Sequence, residues 1–95
     1  MRTIERSSVF KRDFKKVKES PNHKKNLDEL LSNILELLLI DETLPKNNRD
    51  HALSGNWEGY RECHIKPDLL LIYRKPDNKT LRLARIGSHS ELFSK

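Results

Sequence analysis

Apolar residues recur with a helical period in the first half of this 95-residue chain and with a strand period in the second half. Residues 2–6 alternate weakly between polar and apolar side chains, which predicts a short first strand. A first helix follows, with Ser7 or Ser8 as its cap. Its apolar stripe, whose members are four and three positions apart, consists of Phe10, Phe14 and Val17.

A second helix is predicted from the pair Ser20-Pro21, in which serine is the N-cap and proline takes the first helical position. Its leucines and isoleucines run from Leu27 to Leu39, again three or four residues apart, and the helix ends before Pro45. The two helices are expected to form a hairpin whose apolar faces cover a sheet.

Three further strands are predicted in the second half of the chain. Residues 46–58 have no periodicity and are expected to form a loop. The predicted strands are an alternating segment at residues 59–65, a continuous apolar run at residues 69–73 and a last strand at residues 81–86. Pro67-Asp68 and residues 76–79 supply the turns between these strands.

The predicted order of elements is β-α-α-β-β-β. This is an α+β fold in which a helical hairpin packs on a four-stranded, mainly antiparallel sheet. A chain of 95 residues suffices for one hydrophobic core, so residues 1–95 are interpreted as a single domain.

Positive charge flanks an acidic centre. The net charge is +5, with +6 in residues 1–26, −5 in residues 27–45 and +4 in residues 46–95. A basic surface attracts polyanions such as nucleic acid, and it equally suits an acidic protein partner.

The sequence favours a cytoplasmic protein without membrane contact. Arg2, Glu5 and Arg6 lie among the first ten residues, and no apolar segment typical of a secretory signal follows them. Apolar runs such as Leu37–Ile40 are far too short to span a bilayer. Cys63 is the single cysteine and has no partner for an internal disulfide, which fits a reducing compartment.

Three histidines and one aspartate in the second half are candidates for acid–base chemistry: His51, His64, Asp68 and His89. Histidine both accepts and donates a proton near neutral pH, because its ordinary pKa is about 6.5. Cleavage of RNA needs a base at the 2′-hydroxyl and an acid at the leaving 5′-oxygen, and a carboxylate can orient an imidazole. Neighbouring strands of the predicted sheet are expected to gather these side chains into one patch.

Basic and aromatic side chains near the histidines are candidates for contact with RNA. Arg61, Lys66 and Arg85 are suited to neutralise phosphate, and Phe93 is suited to stack on a base. This chemistry requires neither a metal ion nor a cofactor.

A metal site made of the three histidines and Asp68 is an alternative. Their spacings of 13, 4 and 21 residues contain no short ligand motif, which argues against it. Catalysis by Cys63 is a further alternative, but the strand alternation places this residue on the face opposite His64, where it is expected to pack.

Two segments resemble a known family, the YafQ-type toxins of the RelE/ParE superfamily. Residues 50–68 read Asp-His-Ala-Leu-Ser-Gly-Asn-Trp-Glu-Gly-Tyr-Arg-Glu-Cys-His-Ile-Lys-Pro-Asp, and residues 85–93 read Arg-Ile-Gly-Ser-His-Ser-Glu-Leu-Phe. The resemblance is specific over residues 49–93, whereas the first half is similar only in its strand–helix–helix layout and its leucine pattern.

The resemblance implies the toxin of a type II toxin–antitoxin pair that cleaves mRNA in the A site of the 70S ribosome and stops translation. It implies catalytic roles for His51, His64, Asp68 and His89 and an RNA contact for Phe93. The products would carry a 2′,3′-cyclic phosphate or 3′-phosphate and a 5′-hydroxyl.

The family pattern also implies binding partners, and this chain departs from the pattern at one position. The partner would be an acidic antitoxin whose complex with the toxin binds operator DNA, so that DNA contact comes only through that complex. Some members carry tryptophan after the turn aspartate, where this chain has Leu69. A stacking contact with RNA is expected to be lost there.

Two other functions are consistent with the same pattern. One is a non-enzymatic toxin of this superfamily that binds a protein target such as gyrase, although protein binding has no need of three imidazoles. The other is an RNA- or protein-binding module whose catalytic set has decayed.

Overall fold

The computed structural model describes residues 1–93 as two helices, a sheet and a short C-terminal helix. The elements are β1 Thr3–Arg6, α1 Ser8–Glu19, α2 Leu27–Leu39, β2 His51–Ala52, β3 Arg61–Lys66, β4 Leu69–Arg74, β5 Thr80–Gly87 and α3 His89–Phe93. Short 3-10 turns at Lys46–Asn48 and Gly55–Trp57 interrupt the segment between α2 and β3. None of the helices in this part of the chain has the length and apolar composition needed to cross a lipid bilayer.

The sheet has five strands in the order β1-β5-β4-β3-β2. The first strand runs parallel to β5, and the other three pairs of neighbours are antiparallel. The predicted α+β class and the mainly antiparallel sheet are confirmed, but the prediction of four strands is one too few. The missing strand, β2, has two residues, too few to leave an alternating pattern in the sequence.

The first helix begins as predicted. The side-chain oxygen of Ser7 accepts a hydrogen bond from the backbone N–H of Phe10 at 2.9 Å. The same hydroxyl donates to the carbonyl of Ala84 at 2.8 Å, so the helix cap is also bonded to β5. Phe10 and Val17 of the predicted stripe are buried, and Phe14 packs partly buried beside them. One serine therefore fixes both the start of α1 and its position on the sheet.

The predicted start of the second helix is wrong, because α2 begins at Leu27 and not at Pro21. Ser20 ends the first helix, and its carbonyl accepts the backbone N–H of His23, which makes residues 21–23 a turn. Asn26 then takes a left-handed conformation with φ of 58°, which asparagine tolerates better than most residues. Serine and proline are typical of turns as well as of helix starts, and the turn is what forms here.

The fourth strand is buried on both faces. Leu69, Leu71 and Tyr73 face the two long helices, while Leu70 and Ile72 face the opposite side. The opposite side is covered by a smaller apolar cluster that includes Leu53, Trp57, Tyr60 and Leu92. Burial on both sides explains the continuous apolar run of the sequence, because a strand with one solvent-exposed face would alternate.

Where β1 ends, the side chain of Asp13 takes its place as hydrogen-bond acceptor along the edge of β5. The first strand pairs with residues 80–83 of β5. Beyond that point Asp13 of α1, 8% exposed, accepts the backbone N–H of Ile86 at 3.2 Å. The same carboxylate accepts two hydrogen bonds from the Arg85 guanidinium, at 2.8 and 2.9 Å. This bond to Asp13 raises the pKa of Arg85, so the guanidinium stays charged.

Replacing Asp13 by alanine is expected to lower the free energy of unfolding by about 2–3 kcal/mol, because a buried N–H and a guanidinium lose their common acceptor. Glu5→Ala is the matched control, since Glu5 accepts from Arg82 at 3.0 Å but both side chains are largely exposed. The control should lose less than about 1 kcal/mol. Urea denaturation of both variants measures the difference, and equal losses would contradict the role given to Asp13.

Candidate active site

The strand pairing collects the predicted catalytic residues on one side of the sheet. His51 of β2 lies directly opposite Glu62 of β3, and His64 follows two residues later on the same face of β3. Asp68 lies in the turn between β3 and β4, and His89 begins α3 directly after β5. Segments far apart in sequence thus meet at the end of β3.

The side chains form a row, which we call the histidine row: His51, Glu62, His64, His89 and Phe93. One oxygen of Glu62, Oε1, is 3.5 Å from Nε2 of His51 and 3.6 Å from Nε2 of His64. The ring centroids of His64 and His89 are 6.1 Å apart, and those of His89 and Phe93 are 5.8 Å apart. The row runs from the exposed His51 through the buried Glu62 and His64 to the exposed His89.

Backbone carbonyls fix the tautomer of two histidines. Nδ1 of His51 is 2.8 Å from the carbonyl oxygen of Arg49, and Nδ1 of His64 is 3.3 Å from that of Pro67. A carbonyl only accepts hydrogen bonds, so Nδ1 carries the proton in both rings and Nε2 faces the row. Arg49 has a positive φ of 48° and lies two residues before His51, to which it presents its carbonyl.

Two hydrogen bonds to Asp50 anchor the short strand that carries His51. The hydroxyl of Tyr73 on the central strand donates a hydrogen bond to Asp50 Oδ1 at 2.6 Å, and Arg61 Nε donates to the same oxygen at 3.2 Å. Burial and the bond to Asp50 raise the pKa of Tyr73, so it remains a donor. The residue before His51 is thereby tied to the core.

The start of α3 is held by reciprocal bonds and by a close approach. The Glu91 carboxylate accepts the backbone N–H of Ser88 at 2.8 Å, and the Ser88 hydroxyl accepts the N–H of Glu91 at 3.2 Å. The bond from Ser88 lowers the pKa of Glu91. A Cβ at Gly87 would lie 3.2 Å from Glu91 Oε1 and 3.3 Å from Leu92 Cδ2, so a larger residue there would make these side chains shift by a few tenths of an ångström. Asp68 Oδ1 accepts the N–H of His89 at 3.2 Å and completes this anchoring.

The predicted phosphate contacts already have partners within the fold. Arg61 is bonded to Asp50 and Arg85 to Asp13, as described above. Lys66 donates to the carbonyls of His23 and Lys25 at 2.6 and 2.7 Å, and so links β3 to the turn between the helices. The side chain of Arg61 is still 45% exposed, and the RNA contacts of the three cations stay a prediction.

A polar cleft adjoins the row and contains residues that sequence reasoning missed. Its volume is about 360 Å³, and it is lined by Asn47, Asn48, Arg49, His64, Ile65, Lys66 and Pro67. Asn48 donates from its amide to the carbonyl of His64 at 2.7 Å, which braces the histidine from the cleft side. Glu62 was also missed, although the strand alternation already placed it on the face of His64.

Two residues weighed in the sequence lie outside the row. Burial raises the pKa of the Cys63 thiol to about 12, and the side chain lies in the core beneath the helices, as predicted. The thiolate that nucleophilic catalysis needs is therefore scarce at neutral pH. Leu69, where some relatives have tryptophan, is fully buried in the same core and presents no surface for stacking.

Within residues 1–93, no group of three or more histidine, cysteine, aspartate or glutamate side chains is arranged to hold a metal ion. His51 and His64 both lie next to the same oxygen of Glu62. The nearest charged group to each of these two imidazoles is therefore the Glu62 carboxylate.

The sheet with its helical hairpin has the architecture of the RelE-like toxins. A family model described as "bacterial toxin of type II toxin–antitoxin system, YafQ" matches residues 2–94. The chain belongs to this family of toxins, which confirms the resemblance seen in the sequence. It is similar to the mRNA interferase toxin YafQ of Escherichia coli strain K12, with 42% identity over 97% of this chain and 96% of the relative.

Solved structures of relatives show the same fold. The toxin in the E. coli DinJ–YafQ complex has a TM-score of 0.82 and 38% identity, and the match covers 98% of this chain and 99% of that one. A metal-bound toxin from Helicobacter pylori has a TM-score of 0.84 and 42% identity, with 98% and 100% of the two chains covered.

Replacing Asp68 by alanine is expected to loosen α3, because the N–H of His89 loses its acceptor. Amide hydrogen exchange in residues 89–93 should accelerate by about fivefold, the factor for one hydrogen bond of about 1 kcal/mol. Asp68→Asn keeps an acceptor oxygen and should stay near the wild-type rate.

The control for this experiment is Asp77→Ala. Asp77 is another turn aspartate, and its Oδ1 accepts the backbone N–H of Lys79 at 2.8 Å. Its replacement should leave exchange in α3 unchanged. Exchange in residues 89–93 that is equally slow in Asp68→Ala and in the wild type would show that Asp68 does not hold this helix.

Proposed function

We propose that this protein is an endoribonuclease that cleaves mRNA in the A site of the 70S ribosome and so inhibits translation. The observation that carries the proposal is the convergence of His51, His64, His89 and Phe93 in the histidine row, with Asp68 bonded to the backbone of His89. An E. coli relative that matches nearly the whole chain is an mRNA interferase toxin, which supports the same activity here.

The reaction is an internal transesterification. A base takes the proton of a 2′-hydroxyl, whose oxygen attacks the adjacent phosphorus, and an acid protonates the departing 5′-oxygen. The O2′–P bond forms as the P–O5′ bond breaks, leaving a 2′,3′-cyclic phosphate, which water can open to a 3′-phosphate, and a 5′-hydroxyl. No metal ion takes part in this scheme.

The geometry supports a division of roles. His51 and His64 have Nδ1 occupied by backbone carbonyls, so their free Nε2 atoms are suited to accept the proton of the 2′-hydroxyl. His89 is exposed at the start of α3 and its backbone is fixed by Asp68, which suits it to act as the acid. His64 lies between the other two, so base and acid can engage the two sides of one phosphate.

Binding of RNA is assigned to the surroundings of the row. Phe93 is 36% exposed and lies beside His89, where it can stack on a nucleotide base. Arg61 and Lys66 lie near His51 and His64 and can face phosphate through the N–H groups that their internal partners leave unused. Arg85 contributes positive potential but is largely committed to Asp13.

The partner that controls this activity is proposed to be an acidic antitoxin. A net charge of +5 favours a segment rich in aspartate and glutamate, and the related E. coli toxin has been crystallised as the DinJ–YafQ complex. Contact with operator DNA would come only through such a complex. Action on the ribosome and control by an antitoxin would take place in the cytoplasm, and the proposed mechanism uses neither a membrane partner nor a cofactor.

His89→Ala is expected to slow single-turnover cleavage on programmed ribosomes by about 10²–10⁴-fold, the usual contribution of a general acid. Ribosome binding should change no more than a few-fold, because the imidazole acts mainly in the transition state. Primer extension of the message at saturating toxin measures the rate.

His23→Ala is the control, since His23 lies in the turn between the helices and outside the histidine row. It should cleave at the wild-type rate. If the alanine variants of His51, His64 and His89 all cleave like the wild type, the histidine mechanism is wrong. If the wild type leaves mRNA intact while replication stalls, the protein acts on a target such as gyrase instead.

Association with the antitoxin is expected to be fast and to slow by about tenfold or more as salt rises across physiological ionic strengths, because opposite charges steer the encounter. Stopped-flow measurement with sodium chloride gives the on-rate, and a neutral osmolyte of equal osmolality is the control. An on-rate independent of salt would remove the electrostatic basis of the partner assignment.

A further inference from the structure

The polar cleft beside His64 lies along a part of the β3 edge that has no neighbouring strand within residues 1–93. The short strand β2 pairs with the first two residues of β3, whereas β3 continues to Lys66. Over these last residues the 3-10 turn Lys46–Asn48 packs against β3, and the Asn48 amide donates to the His64 carbonyl at 2.7 Å. The cleft of about 360 Å³ is the space between this turn and the end of β3.

The lining of this cleft suits one nucleotide of RNA. It contains the side-chain amides of Asn47 and Asn48, the guanidinium of Arg49 and the apolar surfaces of Ile65 and Pro67, and none of its described lining residues is acidic. Pockets for small ligands typically measure ~300–1,000 Å³, so this cleft is large enough for a single nucleotide but not for a folded RNA element.

A neighbouring cleft provides a contrast. It also contains Arg49 and is larger, about 530 Å³, but it is lined by Asp41, Glu42 and Asp50 as well as by cations. Carboxylates at these positions repel the phosphates of an RNA strand. The smaller cleft, which also adjoins the histidine row, is therefore the better candidate for binding the message.

Asn47 is the lining residue best suited to recognise a base. It is exposed, and its amide offers one acceptor oxygen and two N–H donors. An asparagine amide forms paired hydrogen bonds with the edge of a base, and such a pair discriminates between bases. Asn48 is partly engaged by the His64 carbonyl, and Lys66 is held by two backbone carbonyls of the turn between the helices.

The cleft and His89 lie on opposite flanks of His64. The cleft adjoins the edge of β3, whereas His89 follows β5, which lies beyond β4 in the strand order. In the proposed reaction the base acts on the 2′-hydroxyl of the nucleotide 5′ of the cut, and the acid acts on the 5′-oxygen of the next nucleotide. A message that crosses the row in this direction brings the first nucleotide to the cleft and the second beside Phe93.

We propose that this cleft binds the nucleotide on the 5′ side of the cut and that the Asn47 amide recognises its base. The assignment rests on the proposed nuclease function and adds to it the residue that determines specificity at one position of the message. Phe93 can stack on any base and so does not supply this preference.

The first test measures single-turnover cleavage on programmed ribosomes, with messages that differ only in the base 5′ of the cut. Asn47→Ala should reduce the ratio of rates between the best and the worst base by about fivefold or more, the discrimination supplied by one amide–base pair. The preference for the base 3′ of the cut should stay as in the wild type, because that base lies on the Phe93 side of the row.

The matched control is Asn78→Ala. It removes another exposed asparagine amide, from the turn between β4 and β5 at the end of β4 remote from the row. This variant should keep the wild-type preference at both positions.

Asn48→Ala separates recognition of the base from positioning of the histidine. Because Asn48 bonds the His64 carbonyl, its loss should slow cleavage of every message by a similar factor. Asn47→Ala should instead slow the preferred message most. If Asn47→Ala slows all messages equally, or leaves the ratio of rates unchanged, the role given to Asn47 is refuted.

The second test uses the free protein with homotrimers of deoxyadenosine, deoxycytidine and thymidine, which lack the attacking 2′-hydroxyl and cannot be cleaved. In NMR titrations the side-chain amide signals of Asn47 and Asn48 should shift, and one homotrimer should bind more tightly than the others. Asn47→Ala should bind all three alike. Shifts confined to residues 89–93 would refute binding in the cleft.

The outcomes separate this proposal from the nuclease assignment. If the wild type leaves mRNA intact but its cleft binds the homotrimers with a preference that Asn47→Ala abolishes, the cleft assignment stands and the nuclease assignment falls. If the wild type cleaves mRNA without any preference for the base 5′ of the cut, the role of Asn47 falls and the nuclease assignment stands. Thermal unfolding identifies a loss of fold in Asn47→Ala, and in that case Asn47→Asp, which removes the amide donor at nearly constant shape, carries the comparison.

Discussion

The carboxylate of Asp13 is the contact on which the arrangement of the site depends most. It continues the edge of β5 where β1 ends, and it joins α1 to the last residues before α3 through Ile86 and Arg85. Since Gly87 and Ser88 follow at once, α1 helps to set the position of His89 relative to His64, together with Asp68, which accepts the backbone N–H of His89. A side-chain acceptor thus substitutes for a neighbouring strand at the point where the chain turns toward the site.

The other end of the row depends on a second carboxylate, that of the half-buried Asp50. Asp50 accepts hydrogen bonds from Tyr73 and Arg61, so the two-residue strand β2 is held by the central strand as well as by its own short pairing with β3. His51 alone would lie on a mobile edge, because so short a strand has little pairing to stabilise it. Carboxylates thus hold both ends of the row: Asp50 near His51, and Asp13 together with Asp68 near His89.

Periodicity predicted the elements that are long or deeply buried. The stripe of α1, the leucines of α2 and the apolar run of β4 each repeat often enough to reveal their faces, and the opposite orientation of Cys63 and His64 followed from strand alternation. The start of α2 was mispredicted because Ser20 and Pro21 suit a turn as well as a helix start, and tertiary contacts decided between them.

The site was predictable in its members but not in its connections. The histidines, Asp68 and Phe93 are recognisable by residue type and by the family pattern. The partners of Arg61, Lys66 and Arg85 are not, because an ion pair or a bond to a carbonyl between distant segments leaves no periodic signal. Glu62 is a similar case: a glutamate within a strand is ordinary until register places a histidine opposite it.

The parallel pairing of the first strand with the last affects the order in which the protein folds during synthesis. Thr3 pairs with Thr80 and Arg6 with Leu83, so β1 can pair only after β5, about 77 residues later in the chain, has been made. His89 and Phe93 follow later still, and contacts this distant in sequence form late in folding. The histidine row thus forms only after residues from β2 to α3 have been synthesised and have come together, which makes it one of the last parts of the fold to assemble.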